Sequence, residues 1–313
     1  MRNKSIALAL CCLALAGMAY GQQRFLTIAT GGTAGTYFPL GGALAEIWNK
    51  NVKNVNANAT STGASAQNIA MLKSGEVDVI FVQNDAAYYA MKDMEPYKGK
   101  SLPDIKGLAC LYDETCQLVA LESSGIKTIA DLKGKRVSVG AAGSGVELNA
   151  RQILEAAGLT YNDIKVQYLS FAESASNLKD GNIDAAFNTA GAPTAAIQDL
   201  AASKKIVLVA ISGDVAAKLI KKWAFYTPTK IPGKTYMNVD SDVMTVSVKS
   251  MLACSAKLDA ALVYDLLKAM YANGERLAAS HKKGADITLA TSTDGMSIPL
   301  HPGAEKFFKE NKK

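Results

Sequence analysis

The chain has 313 residues, 49% of them apolar and 20% charged, with a formal net charge of +6. That composition belongs to an ordinary globular protein and excludes disordered, collagen-like and low-complexity chains, and so mild a charge calls for no nucleic acid. The only histidines are His281 and His301, both near the C-terminus, which removes most histidine-dependent metal and triad chemistry.

Arg2 and Lys4 precede an apolar run over 6–18 that closes in Ala19-Tyr20-Gly21, with small residues at the −3 and −1 positions of a cut before Gln22. This pattern predicts a secretory signal peptide over 1–21. The apolar core is too short for a permanent anchor, which needs about 20 residues. Leu10 stands before Cys11, where a lipoprotein would carry a small residue. Cleavage leaves an exported, soluble, nearly neutral chain.

The alternation of strand-like and helix-like segments then runs almost throughout. Residues 25–30 read as a strand. Leu40, Leu44, Ile47 and Trp48 mark one face of a helix. An extended stretch over 52–60 precedes a helix over 66–73, an apolar strand over 77–83 and a helix over 85–92. Strands near 108–111 and 117–121 follow. If these two pair as a hairpin turning at Asp113, the sulfurs of Cys110 and Cys116 face each other as a disulfide, and Cys254 remains a buried lone thiol. No C-x-x-C spacing exists. Next come a strand at 137–140, a helix over 146–157, a strand at 166–169 and a helix over 173–179. A strand at 183–187, a helix over 194–202 and a strand at 206–211 complete the series. This is the order of an α/β fold with parallel strands covered on both faces.

The plan occurs twice. Each half opens with a strand, a Gly-rich turn and a helix, at Ile28-Ala-Thr-Gly-Gly-Thr-Ala-Gly-Thr-Tyr37 and Val137-Ser-Val-Gly-Ala-Ala-Gly-Ser-Gly-Val146. Each continues to a serine-containing helix start, at Ser61-Thr-Gly-Ala-Ser65 and Ser170-Phe-Ala-Glu-Ser174. Each then passes a Gly-x-x-Asp before an apolar strand that ends in polar residues, Gln83-Asn-Asp85 and Asn188-Thr189. Two similar lobes with facing strand ends follow from the repeat.

A strand-to-helix turn leaves unpaired N–H groups and positive potential at the helix start, and glycine lets a ligand come close. Such a turn binds an anion without a basic side chain. Neither turn fits a nucleotide P-loop, a dinucleotide fingerprint or a nucleophile elbow. Asp85 suits either a helix cap or a cleft carboxylate, whereas Gln83 needs partners if it is buried. The lysine doublets at 204–205, 221–222 and 282–283 lack interleaved aromatics and read as solvated faces.

Several segments together resemble a known family. They are Thr30-Gly-Gly-Thr-Ala-Gly-Thr-Tyr-Phe-Pro-Leu-Gly-Gly42, Ser61-Thr-Gly-Ala-Ser-Ala-Gln-Asn68, Ser74-Gly-Glu-Val-Asp-Val-Ile-Phe-Val-Gln-Asn-Asp85, Asp131-Leu-Lys-Gly-Lys-Arg-Val-Ser-Val-Gly-Ala-Ala-Gly-Ser-Gly145, Ala190-Gly-Ala-Pro-Thr194, Phe225-Tyr-Thr-Pro228 and Ile298-Pro-Leu-His-Pro-Gly-Ala-Glu305. Their order is similar to that of the TAXI solute receptors of TRAP transporters. The resemblance implies a periplasmic-binding-protein fold, two α/β lobes joined by hinge strands with a ligand cleft between them. Lobe 1 would comprise 22–118 and 246–313, and lobe 2 would comprise 119–245. It implies a monomeric periplasmic receptor, not an enzyme and without a cofactor or metal. Such a receptor captures a small anionic or zwitterionic solute, a glutamate-like or 2-oxoacid-like C5 compound, and delivers it to an ion-gradient-driven TRAP permease.

Carried over by position, Gly32, Thr33, Gly35 and Tyr37 form the first cradle. Ser61, Thr62 and Ser65 present donors, and Gln83 and Asp85 sit at the strand end, with Asp85 available for an ammonium group. Gly143, Ser144 and Gly145 oppose them, beside Asn188, Thr189 and Gly191. Ala142 replaces a usual proline, and Asn84 stands where serine is common. The competing readings are a sensor subunit handing the same ligand to a signalling receptor, and an exported enzyme using Ser144. The enzyme reading lacks a base placed beside that serine.

Overall fold

The computed structural model describes residues 23–312; the signal peptide predicted over 1–21 lies outside them. The strands are β1 (Arg24–Ala29), β2 (Val55–Thr60), β3 (Val79–Gln83), β4 (Ile105–Leu121), β5 (Arg136–Ser138), β6 (Lys165–Gln167), β7 (Ala185–Ala190), β8 (Ile206–Val209), β9 (Thr227–Ile231) and β10 (Val243–Ser255). They form a ten-stranded sheet in the order β2-β1-β3-β10-β4-β7-β5-β6, with β8 joined to β4 and β9 to β10. At one end β2, β1 and β3 run parallel, and at the other β7, β5 and β6 do. The two long strands, β4 and β10, lie antiparallel between these halves. The later part of β10, Ser250–Cys254, pairs with β3 and its earlier part, Val243–Ser247, with β9, while residues 115–121 of β4 pair with β7 and β8.

Helices cover both faces, as buried parallel strands require. Helix Tyr37–Asn51 buries Leu40, Leu44, Ile47 and Trp48, the predicted stripe. Trp48 donates its indole N–H to the Leu266 carbonyl at 3.0 Å. Through it, helices Ala260–Ala272 and Pro302–Asn311 join a core that contains Leu26, Ile28, Leu44, Leu266 and Phe307. The β5–β7 half has its own core around Val137, Ile153, Phe187 and Val209.

Residues 105–121 correct one expectation. They form a single strand of 17 residues, not two strands around a turn at Asp113. Cys110 and Cys116 are therefore six residues apart on one strand, about 20 Å by strand rise, whereas a disulfide needs Cα atoms within about 7 Å. Both are free and buried, as is Cys254. The physical reason is register: residues 105–115 already find a partner in β10, so the chain has no need to fold back.

That ladder has two register shifts. Lys249 faces Asp113 while Met251 faces Cys110, and Leu252 faces Ala109 while Ala253 faces Gly107. Each inserts one extra residue on the β4 side, a β-bulge. In consequence the sequence neighbours Leu111 and Tyr112 both enter the same core, breaking the usual alternation.

Candidate ligand cleft

Four helix starts converge on one cleft of about 640 Å³, mouth included, lined by residues of both halves. The helices are Tyr37–Asn51, Ser65–Ser74, Gly145–Ala156 and Phe171–Lys179. The two Gly-rich turns and the two serine-containing starts of the sequence repeat are these four. Each points unpaired first-turn N–H groups and the positive end of its dipole inward.

Local chemistry fixes each turn. Ser144 caps its helix by accepting from the Glu147 N–H at 3.1 Å. Ser170 accepts from the Glu173 N–H at 3.3 Å while Glu173 returns the bond to the Ser170 N–H at 2.8 Å, a reciprocal cap. Asn68 donates to the Thr30 and Phe81 carbonyls at 2.6 and 2.8 Å and accepts from Thr62 Oγ1 at 2.5 Å. This network holds the turn before Ser65 against β1 and β3. Ala64 ends that turn with φ 68° and ψ −146°, a region that favours glycine.

Of the predicted residues, Gly32, Gly35, Tyr37, Thr62, Ser65, Gln83, Ser144, Gly145 and Thr189 line the cleft. Thr33, Ser61, Asp85, Gly143, Asn188 and Gly191 do not. Thr33 and Ser61 are exposed, and Ser61 Oγ donates to the Gly31 carbonyl. Gly143 is an exposed turn residue with φ 70°. Asn188 lies inside β7, buried, with its strand neighbour Thr189 turned to the cleft. Gly191 closes the cleft from outside: its carbonyl accepts from Thr36 Oγ1 at 3.3 Å, a bond between the two halves.

Asp85 is the main correction. It is fully buried in the first turn of helix Asn84–Met91, accepting from the Ala86 N–H at 2.7 Å and from Asn149 Nδ2 at 3.0 Å. It is not among the residues that line the cleft. Burial, set against these hydrogen bonds, pushes its carboxyl up to about 6.

The carboxylate that does line the cleft is Glu114, on β4. It is 2% exposed. Gln83 Nε2 donates to its Oε2 at 3.0 Å, and Tyr112 reaches its Oε1 only at 3.5 Å. Burial is the chief cause that raises Glu114 to about 8, with the Asp85 charge adding to it. The Tyr37 hydroxyl and Gln83 Oε1 are buried with no hydrogen-bond partner among the described residues. Among the described residues, those lining the cleft include no lysine, arginine or histidine.

Glu114, Thr36, Ala64, Ser170 and Phe171 were not singled out for the cleft from sequence. For Ser170 and Phe171 the signal was present, since they open the second copy of a helix start whose first copy was assigned.

The family described as NMT1-like matches residues 28–311. A curated relative, the putative aliphatic sulfonates-binding protein of Escherichia coli (strain K12), is 31% identical over 112 residues, 36% of this chain and 30% of that relative. The match thus spans less than a third of the relative's length. Among solved structures, the periplasmic aliphatic sulphonate binding protein SsuA from Escherichia coli aligns at TM-score 0.51 and 18% identity, covering 91% of this chain and 83% of that one. A putative L-cystine ABC transporter protein from Listeria monocytogenes aligns at 0.54 and 19%, covering 85% and 98%. PhnD1 from Prochlorococcus marinus (MIT 9301), in complex with methylphosphonate, aligns at 0.55 and 11%, covering 84% and 88%. The fold is therefore that of the periplasmic binding proteins.

Proposed function

The chain belongs to the NMT1-like family, and on that premise we propose that it is a periplasmic solute receptor that hands a small anionic or zwitterionic solute to a membrane transporter. The observation that carries this reading is the cleft itself. Four helix starts, two from each half of the sheet, supply anion-binding N–H groups around one enclosed space. A carboxylate suits these donors, and so does the sulfonate named for the Escherichia coli relative.

The proposed lobes are 22–118 with 246–313, and 119–245, joined through β4 and β10. Contacts such as Thr36 to Gly191 belong to a closed form. A ligand that bridges the halves favours that form, and the transporter reads it. The resemblance to TAXI receptors supports a TRAP permease as partner, with the receptor acting as a monomer. An enzyme reading gains nothing from the geometry, because Ser144 Oγ serves its own helix as a cap and has no base beside it.

Native mass spectrometry of the purified protein, followed by denaturation, tests the reading. A defined small mass is expected, returning when that compound is added to stripped protein. Absence of any such mass, with no thermal shift from small carboxylates, amino acids or alkanesulfonates, defeats it. Uptake by the receptor with its permease, driven by an ion gradient and not by ATP, is the expected result for a TRAP partner.

A further inference from the structure

Resting on the solute-receptor reading, we infer that the cleft opens on one side only: the contact around Asn149 stays shut as a pivot, and the halves part where Thr36 meets Gly191.

The halves touch on both faces of the sheet. In β7 the neighbours Ala186 and Phe187 point to opposite faces. Helix Gly145–Ala156 packs on the Phe187 face through Ile153, and helix Ala195–Ser203 packs on the Ala186 face through Ile197. Each contact adjoins a crossing strand. Gln83 pairs with Ser250 of β10, and Ala190, next to Gly191, pairs with Thr115 of β4. Position therefore favours neither contact as the pivot, and their strengths decide.

On the Phe187 face the contact is buried and polar groups are matched. Asn149 is fully buried. Its Oδ1 accepts from Gln83 Nε2 at 3.1 Å, and its Nδ2 donates to Asp85 Oδ2 at 3.0 Å and to the Tyr226 hydroxyl at 2.8 Å. Tyr226 in turn donates to Gln152 Oε1 at 2.6 Å. The carbonyl and both amide protons of Asn149 are thus used, and two of these bonds cross between the halves. Beside them Leu148 and Phe225 pack into the core of Ile80 and Val82. The Phe225 ring centre lies 5.3 Å from that of Tyr88 and 5.5 Å from that of Tyr89. Parting this face would bring all of that apolar surface into water.

The Ala186 face is held more lightly. The Ala196 N–H donates to the Ala34 carbonyl and Thr36 Oγ1 to the Gly191 carbonyl, both at 3.3 Å, beyond the usual range. The apolar contact across this face is slight: Ala34 reaches the core of Ile197, and a Cβ on Gly35 would lie 3.3 Å from the Phe171 ring. The stem of Lys283 covers Gly191, while its ammonium is drawn away to Asp286 at 2.6 Å. Water can replace two long hydrogen bonds at little cost, and no shared core has to be split. A solute then enters past Gly191.

Spin labels read by double electron–electron resonance test this on stripped protein, the buried native cysteines being out of a label's reach. The pair K92C and E155C reports on the Asn149 side, and the pair T33C and Q198C on the Gly191 side. The second pair is expected to gain a population longer than its separation in the form described above by about 5 Å or more, while the first stays within about 2 Å of its own. N149A should lengthen or broaden the K92C–E155C distance; the two wild-type readings stand even if that variant fails to fold. Lengthening of K92C–E155C in the wild-type background overturns the inference and leaves the receptor reading intact. Movement of neither pair also overturns it, and the receptor reading then stands or falls on the bound small mass alone.

Discussion

Gln83 Nε2 and Asn149 Oδ1 meet at 3.1 Å, joining a strand of one half of the sheet to a helix of the other. The approach is that close because residue 145 is glycine. A Cβ there would lie 1.9 Å from Gln83 Oε1 and 2.4 Å from its Cδ. Gly145→Ala must therefore displace the Gln83 amide, breaking its bonds to Asn149 and Glu114, or push the halves apart. It should lower ligand affinity at least tenfold, destabilise the protein by about 1–3 kcal/mol, and enlarge the radius of gyration in small-angle scattering. An unchanged radius with full affinity would show that the wall yields without opening.

Ala64 stores strain at φ 68° and ψ −146°. Ala64→Gly relieves it, against the greater freedom glycine gives the unfolded chain. The net expectation is a gain of about 1 kcal/mol, read as a higher denaturant midpoint at unchanged slope. Ligand binding should weaken, since the turn beside Ser65 loses its fixed geometry.

Trp48 anchors the C-terminal helices through one hydrogen bond and a fully buried ring. Trp48→Ala should cost about 3–5 kcal/mol in equilibrium urea unfolding. Ligand affinity of the remaining folded protein should hardly change, because Trp48 does not line the cleft.

The carboxyl shifts set the pH dependence of the stripped protein. Glu114 holds its proton up to about 8 when folded against an ordinary 4.5, and Asp85 up to about 6 against 3.8. Between those values the folded state binds more protons than the unfolded one. Stability is thus full below the ordinary values, falls as pH rises through each window and levels off beyond the folded value. Glu114→Gln should exceed the wild type in Tm at about pH 8.5 by on the order of 5 °C, and the gap should close near pH 5. A parallel pair of Tm profiles would contradict the buried, unpaired state of Glu114.

Cys110, Cys116 and Cys254 are buried, and burial raises Cys110 and Cys116 to about 12. A protein beginning at Gln22 should resist thiol reagents when native, expose three thiols when denatured, and keep its Tm with reductant. A mass two hydrogens short would restore the disulfide.

The sequence made the cradle visible because its turns carry glycine and serine at repeated spacing, and those residues do there what their backbone chemistry demands. Glu114 was not visible for the opposite reason. Tyr112-Asp-Glu-Thr115 looked like a polar turn between apolar runs, yet no glycine or proline lies between Gly107 and Gly125 to make one. That absence was the available signal for a continuous strand. Asp85 misled because it follows Gln83 by two residues. Two residues on would be the same face in a strand, but the helix begins at Asn84 and turns Asp85 into the wall.

The bulge at Leu111–Tyr112 acts as a parity switch. Along a strand each added residue exchanges inside for outside, and β4 carries two acids in succession at its centre. As built, Asp113 faces out to an ion pair with Lys249 at 2.6 Å, and Glu114 faces in. Those directions are held by the pairing of Asp113 with Lys249 and of Glu114 with Val248, just past the bulge. A one-residue slip of that pairing would turn Asp113 toward the solute and Glu114 toward water. The charge inside the cleft is thus set by counting as much as by composition, with every side chain of the cleft's four helix starts left intact.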